Sequence, residues 1–202
     1  MIHIRALSLC LALSAFSGTA ANAHPHVWVT VETTVLYDAH KAVIGLKQRW
    51  TFDEMYSSYS LEGLDKNHDG VFDADSLRQL AKENMESLKD YKYFTEMTVE
   101  SEAVDFAAPI DYSVQRDAKK ILHLTFTLPL KKPLAIGSLT LKYQVYDPEF
   151  YIALVFDEAK AVLLPAGMAG CSTSIEPPSG DPMKSKTWGA AYAATAVVTC
   201  TN

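Results

Sequence analysis

The sequence lacks two features that define large classes of protein, a cationic surface and a long apolar segment. Its 202 residues carry 18 Lys and Arg side chains against 24 Asp and Glu, giving a net charge of -6. Because it has no basic stripe, we expect no nucleic acid among its partners. The apolar run Leu7–Phe16 is shorter than the roughly 20 residues that a transmembrane helix needs. We therefore expect a protein that is not embedded in a membrane.

Catalytic signatures are also missing from the sequence. It contains no Gly-x-Ser-x-Gly motif, no phosphate-binding glycine loop and no recognisable catalytic thiol. The neighbouring acids Asp53 and Glu54 point to different faces of a strand or helix, so their spacing does not make them a catalytic pair. These absences predict a protein that is not an enzyme.

Residues 1–23 have the organisation of a cleavable secretory signal peptide. Arg5 is their single charge, Leu7–Phe16 is the apolar centre, and Ala21–Ala23 supplies a small-x-small cleavage site. Cleavage after Ala23 leaves residues 24–202, whose net charge is -7 because Arg5 is removed. This length suits one exported domain with its own core.

Cleavage at this position makes His24 the first residue of a His24-Pro25-His26 start. The α-amine and imidazole of His24, together with the imidazole of His26, suit Zn²⁺, Cu²⁺ or Ni²⁺. Pro25 has no backbone N–H, which argues against a square-planar copper motif built on deprotonated amides. The alternative is a solvated strand start that binds nothing.

A four-coordinate Zn²⁺ site needs a further ligand from elsewhere in the chain. Our choice is Asp147, which lies at a predicted strand end beside Pro148, where a side chain can turn outward. His123, Glu149 and Asp157 are the other candidates, and an ordinary surface role is the alternative for each.

Three cysteines are present, and Cys10 leaves with the signal peptide. In an oxidising compartment the remaining pair, Cys171 and Cys200, most simply forms one disulfide. A thiolate metal site is the alternative, but the two cysteines lack CxxC spacing.

Alternating apolar and polar residues predict most of the chain to be β-structure. Val27–Val35 alternates with period two, and Val43–Phe52 returns after a turn at Asp38–Lys41. Further strands are predicted at Phe94–Val99, Asp111–Val114, Ile121–Leu128, Ser138–Tyr146 and Phe150–Phe156, and a short helix running into a strand at Trp188–Val198. Gly167–Met183 reads as a linker.

The longest interruption of this pattern by helical spacing lies between about residues 53 and 90. Apolar residues at spacings of three and four predict a short helix from Asp53 to Gly63 and another from about Asp75 to Lys89. The predicted fold is therefore α+β, a mostly antiparallel β-sandwich with an inserted helix–acidic loop–helix segment that resembles an EF-hand.

The acidic loop between the two helices follows the spacing of a calcium-binding loop. Its predicted ligands are the side chains of Asp65, Asn67, Asp69 and Asp73 and the carbonyl of Val71, with Gly70 at the sharp turn. The twelfth position, which normally closes the coordination sphere with Glu, is Ser76. The alternative is an acidic turn in which Asp75 caps the second helix.

Six short motifs together resemble one known family. They are Ala23–Trp28, Trp50–Glu54, the Asp65–Gly70 loop, Tyr91–Phe94, Tyr146–Tyr151 and the closing pair Cys171 and Cys200. On these motifs the chain is similar to bacterial domain-of-unknown-function family 1007, whose members are described as periplasmic components of an uncharacterised ABC-type transport system. The resemblance covers essentially all of residues 24–202.

This resemblance implies a periplasmic accessory protein of transition-metal transport. Family members are often encoded beside permeases of the nickel/cobalt type, which implies such a permease as the partner and Zn²⁺, Ni²⁺ or Co²⁺ as the cargo. It implies that His24 and His26 are the family's N-terminal pair. It also carries over to the loop residues Asp65, Asn67, Asp69 and Asp73, whereas Ser76 departs from the family's acidic residue.

Two further functions are compatible with an N-terminal histidine. One is a copper-binding periplasmic β-sandwich, either a carrier or an oxidative enzyme with a histidine brace. The spacing of His24 and His26 disfavours the oxidative enzyme, because a second histidine two residues away is poorly placed for a T-shaped brace. The other is a plain interaction domain in which the aromatic residues only pack the core.

Overall fold

The computed structural model describes residues 25–65, 72–135, 137, 140–166, 168 and 170–201. The predicted signal peptide, His24 and loop residues 66–71 lie outside these ranges. Within the described part of the chain, no helix is both long and apolar enough to cross a membrane.

Eleven strands and three α-helices are found in the described residues. The strands are β1 Val27–Tyr37, β2 Val43–Phe52, β3 Thr95–Val99, β4 Glu102–Val104, β5 Ile110–Arg116, β6 Leu122–Leu134, β7 Thr140–Val145, β8 Ile152–Phe156, β9 Val162–Leu163, β10 Cys171–Glu176 and β11 Thr195–Cys200. The helices are α1 Glu54–Leu64, α2 Ala74–Leu88 and α3 Trp188–Tyr192, and a 3₁₀ segment spans Lys89–Phe94. This content confirms the predicted α+β class.

The strands form two mostly antiparallel sheets. Sheet A has the order β5-β6-β2-β1-β8, with β9 also pairing β1, and sheet B has the order β10-β11-β7-β3-β4. The pairings of β1 with β8 and with β9 are parallel. Because a parallel partner is brought back by a long crossover, local patterns in the sequence do not reveal it.

The core lies between the inner faces of the two sheets. On sheet A the inward residues of neighbouring strands lie directly opposite each other, as in Val31 with Trp50 and Trp50 with Leu124. Sheet B contributes Leu141 and Tyr143, and all five residues belong to one buried cluster. The period-two alternation along each strand therefore places its apolar half in this cluster.

A buried polar contact joins the two sheets. The Gln48 side chain accepts a hydrogen bond from Trp50 Nε1 at 2.7 Å and donates one to Thr95 Oγ1, also at 2.7 Å. Gln48 is on β2 and Thr95 on β3, so this pair ties sheet A to sheet B. The amide oxygen and the amide nitrogen of Gln48 therefore each have a hydrogen-bond partner in the core.

The helical insertion lies where it was predicted, but its identity as an EF-hand is not confirmed. Both helices begin at a capping aspartate: Asp53 Oδ1 accepts the N–H of Tyr56 at 2.8 Å, and Asp73 Oδ1 accepts that of Ser76 at 2.6 Å. The residue that caps α2 is therefore Asp73, so the assignment of the cap to Asp75 is wrong. The acidic turn itself stays the alternative to a calcium loop.

The segment that reads as a linker contains a strand, so that interpretation is wrong. Residues 171–176 form β10, which pairs antiparallel with β11 along its whole length. Half of its six residues, Ser172, Thr173 and Ser174, carry hydroxyl groups, so the strand gives no apolar alternation. The predicted disulfide between Cys171 and Cys200 is present and links the first residue of β10 to the last of β11.

Reducing this disulfide is expected to lower the free energy of unfolding by about 3 kcal/mol, because the bond closes a long loop in the unfolded chain. Urea unfolding with and without a phosphine reductant measures the change. The Cys171→Ser/Cys200→Ser variant should match the reduced protein. Equal unfolding midpoints for oxidised and reduced protein would show that the bond contributes no stability.

Candidate metal centre at the start of the chain

Pairing between β1 and β8 fixes the start of the described chain. Val27 lies opposite Ile152 in the parallel register. One residue earlier, the His26 N–H donates to the Tyr151 carbonyl at 2.8 Å. His26 therefore lies beside the turn at residues 147–151, and hydrogen bonds of the sheet set its position.

The His26 side chain is exposed and lies against an aromatic ring. Its imidazole and the Tyr151 phenol have centroids 4.6 Å apart, with planes inclined by 34°. This contact limits where the imidazole can point while leaving the residue exposed. Tyr151 was not among the predicted site residues, although it is the last residue of the Tyr146–Tyr151 motif. His24 lies outside the described residues, and its role stays a prediction.

Asp147 lies on the same turn, but its side chain points inward and not outward as expected. It is 5% exposed. Its Oδ1 accepts the N–H of Glu149 and its Oδ2 accepts that of Ile152, both at 3.0 Å. A carboxylate offers about four acceptor positions, so these bonds leave acceptor capacity for a metal. Its role as a ligand stays a prediction.

The turn around Asp147 is held tightly against α3. The N–H of Gly189 donates to the Pro148 carbonyl at 3.1 Å. The Phe150 ring stacks on Tyr192 of the same helix, with centroids 4.9 Å apart. Phe150 has a φ of 58°, a conformation that costs an L-residue energy and requires support from its surroundings. The helix supplies that support.

Sequence reasoning missed the part that Asp53 plays in this region. Besides capping α1, Asp53 accepts the N–H of Trp28 on its Oδ2 at 2.8 Å. Its own N–H donates to the Trp28 carbonyl at 3.0 Å. The signal that identifies it is an aspartate placed just before a helical pattern, which is typical of an N-cap.

Of the other candidate ligands, Glu149 alone shares the turn with Asp147, and it is exposed. Asp157 lies beyond β8, where its Oδ1 accepts the N–H groups of Ala159 and Lys160 at 2.9 and 2.8 Å. His26 thus lies beside the turn that carries Asp147 and Glu149, whereas Asp157 has a turn-forming role.

His123 has hydrogen-bond partners at both ring nitrogens. Its Nδ1 lies 3.0 Å from Thr51 Oγ1, and its Nε2 lies 3.3 Å from Asp117 Oδ2. The residue is 9% exposed. The backbone N–H of Ile121, and secondarily the bond from His123, hold the pKa of Asp117 below its usual value. These contacts fix the β5–β6 turn and account for His123 without a metal.

Among the described residues, no three His, Cys, Asp or Glu side chains are arranged to hold a metal ion. The predicted centre includes His24, which lies outside those residues. The donors that the structure does place at this end, an imidazole and two carboxylates, are of the types that Zn²⁺ accepts.

The ends of the predicted calcium loop are described, and its middle is not. Asp65 ends α1, with its N–H bonded to the Leu61 carbonyl at 3.1 Å. Asp73 caps α2, and the Ser76 N–H holds the pKa of Asp73 below its usual value. Asn67, Asp69 and Val71 lie outside the described residues. Calcium binding here stays a prediction.

We expect millimolar Ca²⁺ to raise the melting temperature of the protein, and Asp65→Ala to abolish that rise, because the variant loses the first ligand of the loop. The weak affinity of roughly 10⁻⁴–10⁻³ M typical of extracellular sites sets the concentration range. Differential scanning calorimetry with Mg²⁺ as the control measures the shift. An unchanged melting temperature in the wild type at 10⁻² M, about ten times the weakest expected Kd, would assign the loop to the acidic-turn alternative.

Two comparisons with known proteins give the family. An uncharacterised protein of Haemophilus influenzae is 22% identical over 173 residues, which cover 85% of this chain and 81% of that protein. Residues 9–200 match the sequence profile described as "Protein of unknown function (DUF1007)". Because that match spans nearly the whole chain, it confirms the resemblance seen in the motifs, and the protein belongs to the DUF1007 family.

Proposed function

We propose that the mature protein is a periplasmic accessory protein of transition-metal transport. In this proposal it binds one divalent cation at its N-terminal His-Pro-His. We propose Zn²⁺ as the first choice and Ni²⁺ or Co²⁺ as the alternatives. The protein then passes the ion to, or takes it from, a membrane permease of the nickel/cobalt type.

The observation that carries this proposal is the position of His26. An exposed imidazole at the first residues of the domain is held by a sheet hydrogen bond to Tyr151 and a ring contact with it. Asp147 and Glu149 are on the same turn. These contacts hold the imidazole beside a turn that carries two carboxylates, and metal titration separates this site from the alternative, a solvated strand start that binds nothing.

Transfer to a partner also favours a terminal site. Terminal segments detach at low cost compared with internal ones. An ion held partly by His24 would be released by moving a few residues, while β1 stays in sheet A. Ligands from the rigid 147–151 turn would keep the ion in place until then.

The His24→Ala/His26→Ala variant tests the proposal. It should lose most tight binding of Zn²⁺ and Ni²⁺, by about a hundredfold or more, because removal of ligands leaves too few donors for a four-coordinate site. Isothermal titration calorimetry on the correctly cleaved protein measures this, and circular dichroism verifies the fold. Copper or zinc loading of the protein isolated from the periplasm separates a copper carrier from a zinc one, because such a site binds Cu²⁺ most tightly in any titration.

The matched control is His40→Ala, which removes a histidine from the β1–β2 turn, where only its backbone N–H is bonded, to Asp38. It should bind metal as the wild type does. If the double variant and this control bind Zn²⁺ and Ni²⁺ with equal affinity, the N-terminal site is refuted.

A further inference from the structure

The sheet edges of this protein are not equally protected. Sheet A ends in β5, whose register shifts between Ile110 and Ser113, and in the short strands β8 and β9. Sheet B ends on one side in β4, which is three residues long. Bulges and short strands are the devices by which proteins keep sheet edges from pairing with other chains.

The remaining edge, β10, carries none of these devices. It runs for six residues in an unbroken register with β11 and contains no Pro, Lys or Arg. All of its residues after Cys171 are exposed. Ile175 is 39% exposed, although it lies opposite Ala196, which is fully buried. The strand therefore extends past the edge of the sandwich, held by β11 and the disulfide.

The hydrogen-bond phase of β10 identifies which backbone groups face outward. Thr201 N–H donates to the Gly170 carbonyl at 2.8 Å, and bonded pairs alternate along an antiparallel ladder. Residues 172, 174 and 176 therefore bond to β11. The N–H and C=O groups of Thr173 and Ile175 point to the open edge. Those of Cys171 point the same way, but the Cys171 N–H already donates to the Met168 carbonyl.

We propose that β10 is a self-association edge, which pairs antiparallel with β10 of a second copy of this chain. In the proposed register Thr173 lies opposite Ile175 of the second copy, and Ile175 opposite its Thr173. This pairing satisfies both outward residues on both copies with four interstrand hydrogen bonds. It joins the two B sheets into one continuous sheet and covers the exposed Ile175 side chains.

Neighbouring registers use fewer of these groups. Centring the pair on Thr173 places Ile175 opposite Cys171, whose N–H is already bonded. Centring it on Ile175 places Thr173 opposite Pro177, which has no N–H. In the proposed register the only charged residue of the strand, Glu176, lies opposite Ser172, so no like charges meet. Its carboxylate is already paired with Lys142 at 2.9 Å.

The size of the contact sets the expected strength of the dimer. Six residues a side bury less than the roughly 1,200 Å² of a standard stable interface. We therefore expect a reversible dimer that forms in the micromolar range and above. Sedimentation equilibrium from about 1 to 500 μM should show a monomer–dimer equilibrium. A strict monomer over that whole range overturns the proposal, because the edge would then face water or pair with an unrelated chain.

A cysteine placed on the two-fold axis tests the register. In the proposed register Ser174 lies opposite Ser174 of the second copy as a non-hydrogen-bonded pair. The Cα separation of such a pair is about 4.5 Å, which suits a disulfide. Oxidised Ser174→Cys protein should run as a covalent dimer. Ser172→Cys is the control, because its copies lie about 14 Å apart in this register and cannot be bridged. Equal cross-linking of the two variants would contradict the register.

A backbone variant separates edge pairing from side-chain effects. Thr173→Pro in the Ser174→Cys background removes an outward N–H without removing a bond to β11, and should reduce cross-linking at least tenfold. Thr173→Ala keeps the N–H and should cross-link as its parent does. Near-ultraviolet circular dichroism verifies that each variant is folded. If the Thr173→Pro protein is folded and still cross-links like its parent, strand pairing is refuted.

Discussion

Gly189→Ala is expected to destabilise the protein by about 3 kcal/mol or more, because the added methyl group has no space. A Cβ at this position would lie 2.7 Å from the carbonyl carbon of Asp147 and 3.2 Å from the Cα of Pro148. Both are backbone atoms, so no flexible side chain can move aside. Separating the two segments would also break the hydrogen bond from Gly189 to Pro148.

Gly63→Ala is the matched control for this substitution. Gly63 lies in α1, and a Cβ there would meet no atom within 4 Å. Alanine inside a helix is favoured over glycine by roughly 0.5–1 kcal/mol, so this variant should be slightly more stable than the wild type. Urea unfolding of both variants gives the comparison. A Gly189→Ala loss below 1 kcal/mol would mean that α3 does not press on the Asp147 turn.

Asp147→Ala is expected to cost about 3 kcal/mol, because it removes a buried carboxylate that accepts two backbone N–H groups. Bonds to a charged acceptor contribute roughly 1.5–3 kcal/mol each, and a buried N–H left without a partner adds a desolvation penalty. One of those N–H groups belongs to Ile152, the residue of β8 that lies opposite Val27. The loss should therefore loosen the start of β1 as well as the turn.

Glu149→Ala provides the comparison for the Asp147 substitution. It removes an exposed carboxylate from the same turn, and it leaves the hydrogen bond from the Glu149 N–H to Asp147 in place. Its stability should stay within about 0.5 kcal/mol of the wild type, as is usual for surface positions. Hydrogen exchange at the amides of residues 149 and 152 should quicken only in Asp147→Ala. If both variants unfold at the same urea concentration, the turn does not depend on the buried carboxylate.

These two substitutions act on contacts that the sequence does not reveal. Asp147 was predicted from its position at a strand end beside Pro148, which indicates a turn but not the direction of the side chain. That direction depends on Ile152 and on α3, which approaches from residues 188–192. Contacts of this kind between distant segments carry no periodic signal.

The parts that the sequence predicts are those set by local patterns. Alternation along Val27–Val35 gives β1 and its buried face, and helical spacing gives α1 and α2. The same logic fails for β10, where Ser172, Thr173 and Ser174 replace apolar residues because no core lies beneath the strand. Local patterns also fail to predict the parallel pairing of β1 with β8. That pairing places His26 in contact with Tyr151.

For the candidate site, the sequence suggests only the types of ligand, and it says nothing of how the side chains are arranged. The cleavage site predicts that His24 and His26 lie at the start of the mature chain. A carboxylate ligand is expected because Zn²⁺ accepts carboxylate oxygens. The contact between His26 and Tyr151, and the two hydrogen bonds that hold Asp147, depend on the folded chain.

Native mass spectrometry of protein exported to the periplasm, beside a copy with one extra residue before His24, tests the central claim most directly. One spectrum reports the cleavage point, the disulfide and any bound metal. We predict one divalent ion on the native start and a clear loss of it from the extended copy, because the extra residue removes the α-amine from His24. Equal metal content in the two proteins, or none in either after titration with zinc, nickel and copper, would contradict a site built on the mature N-terminus.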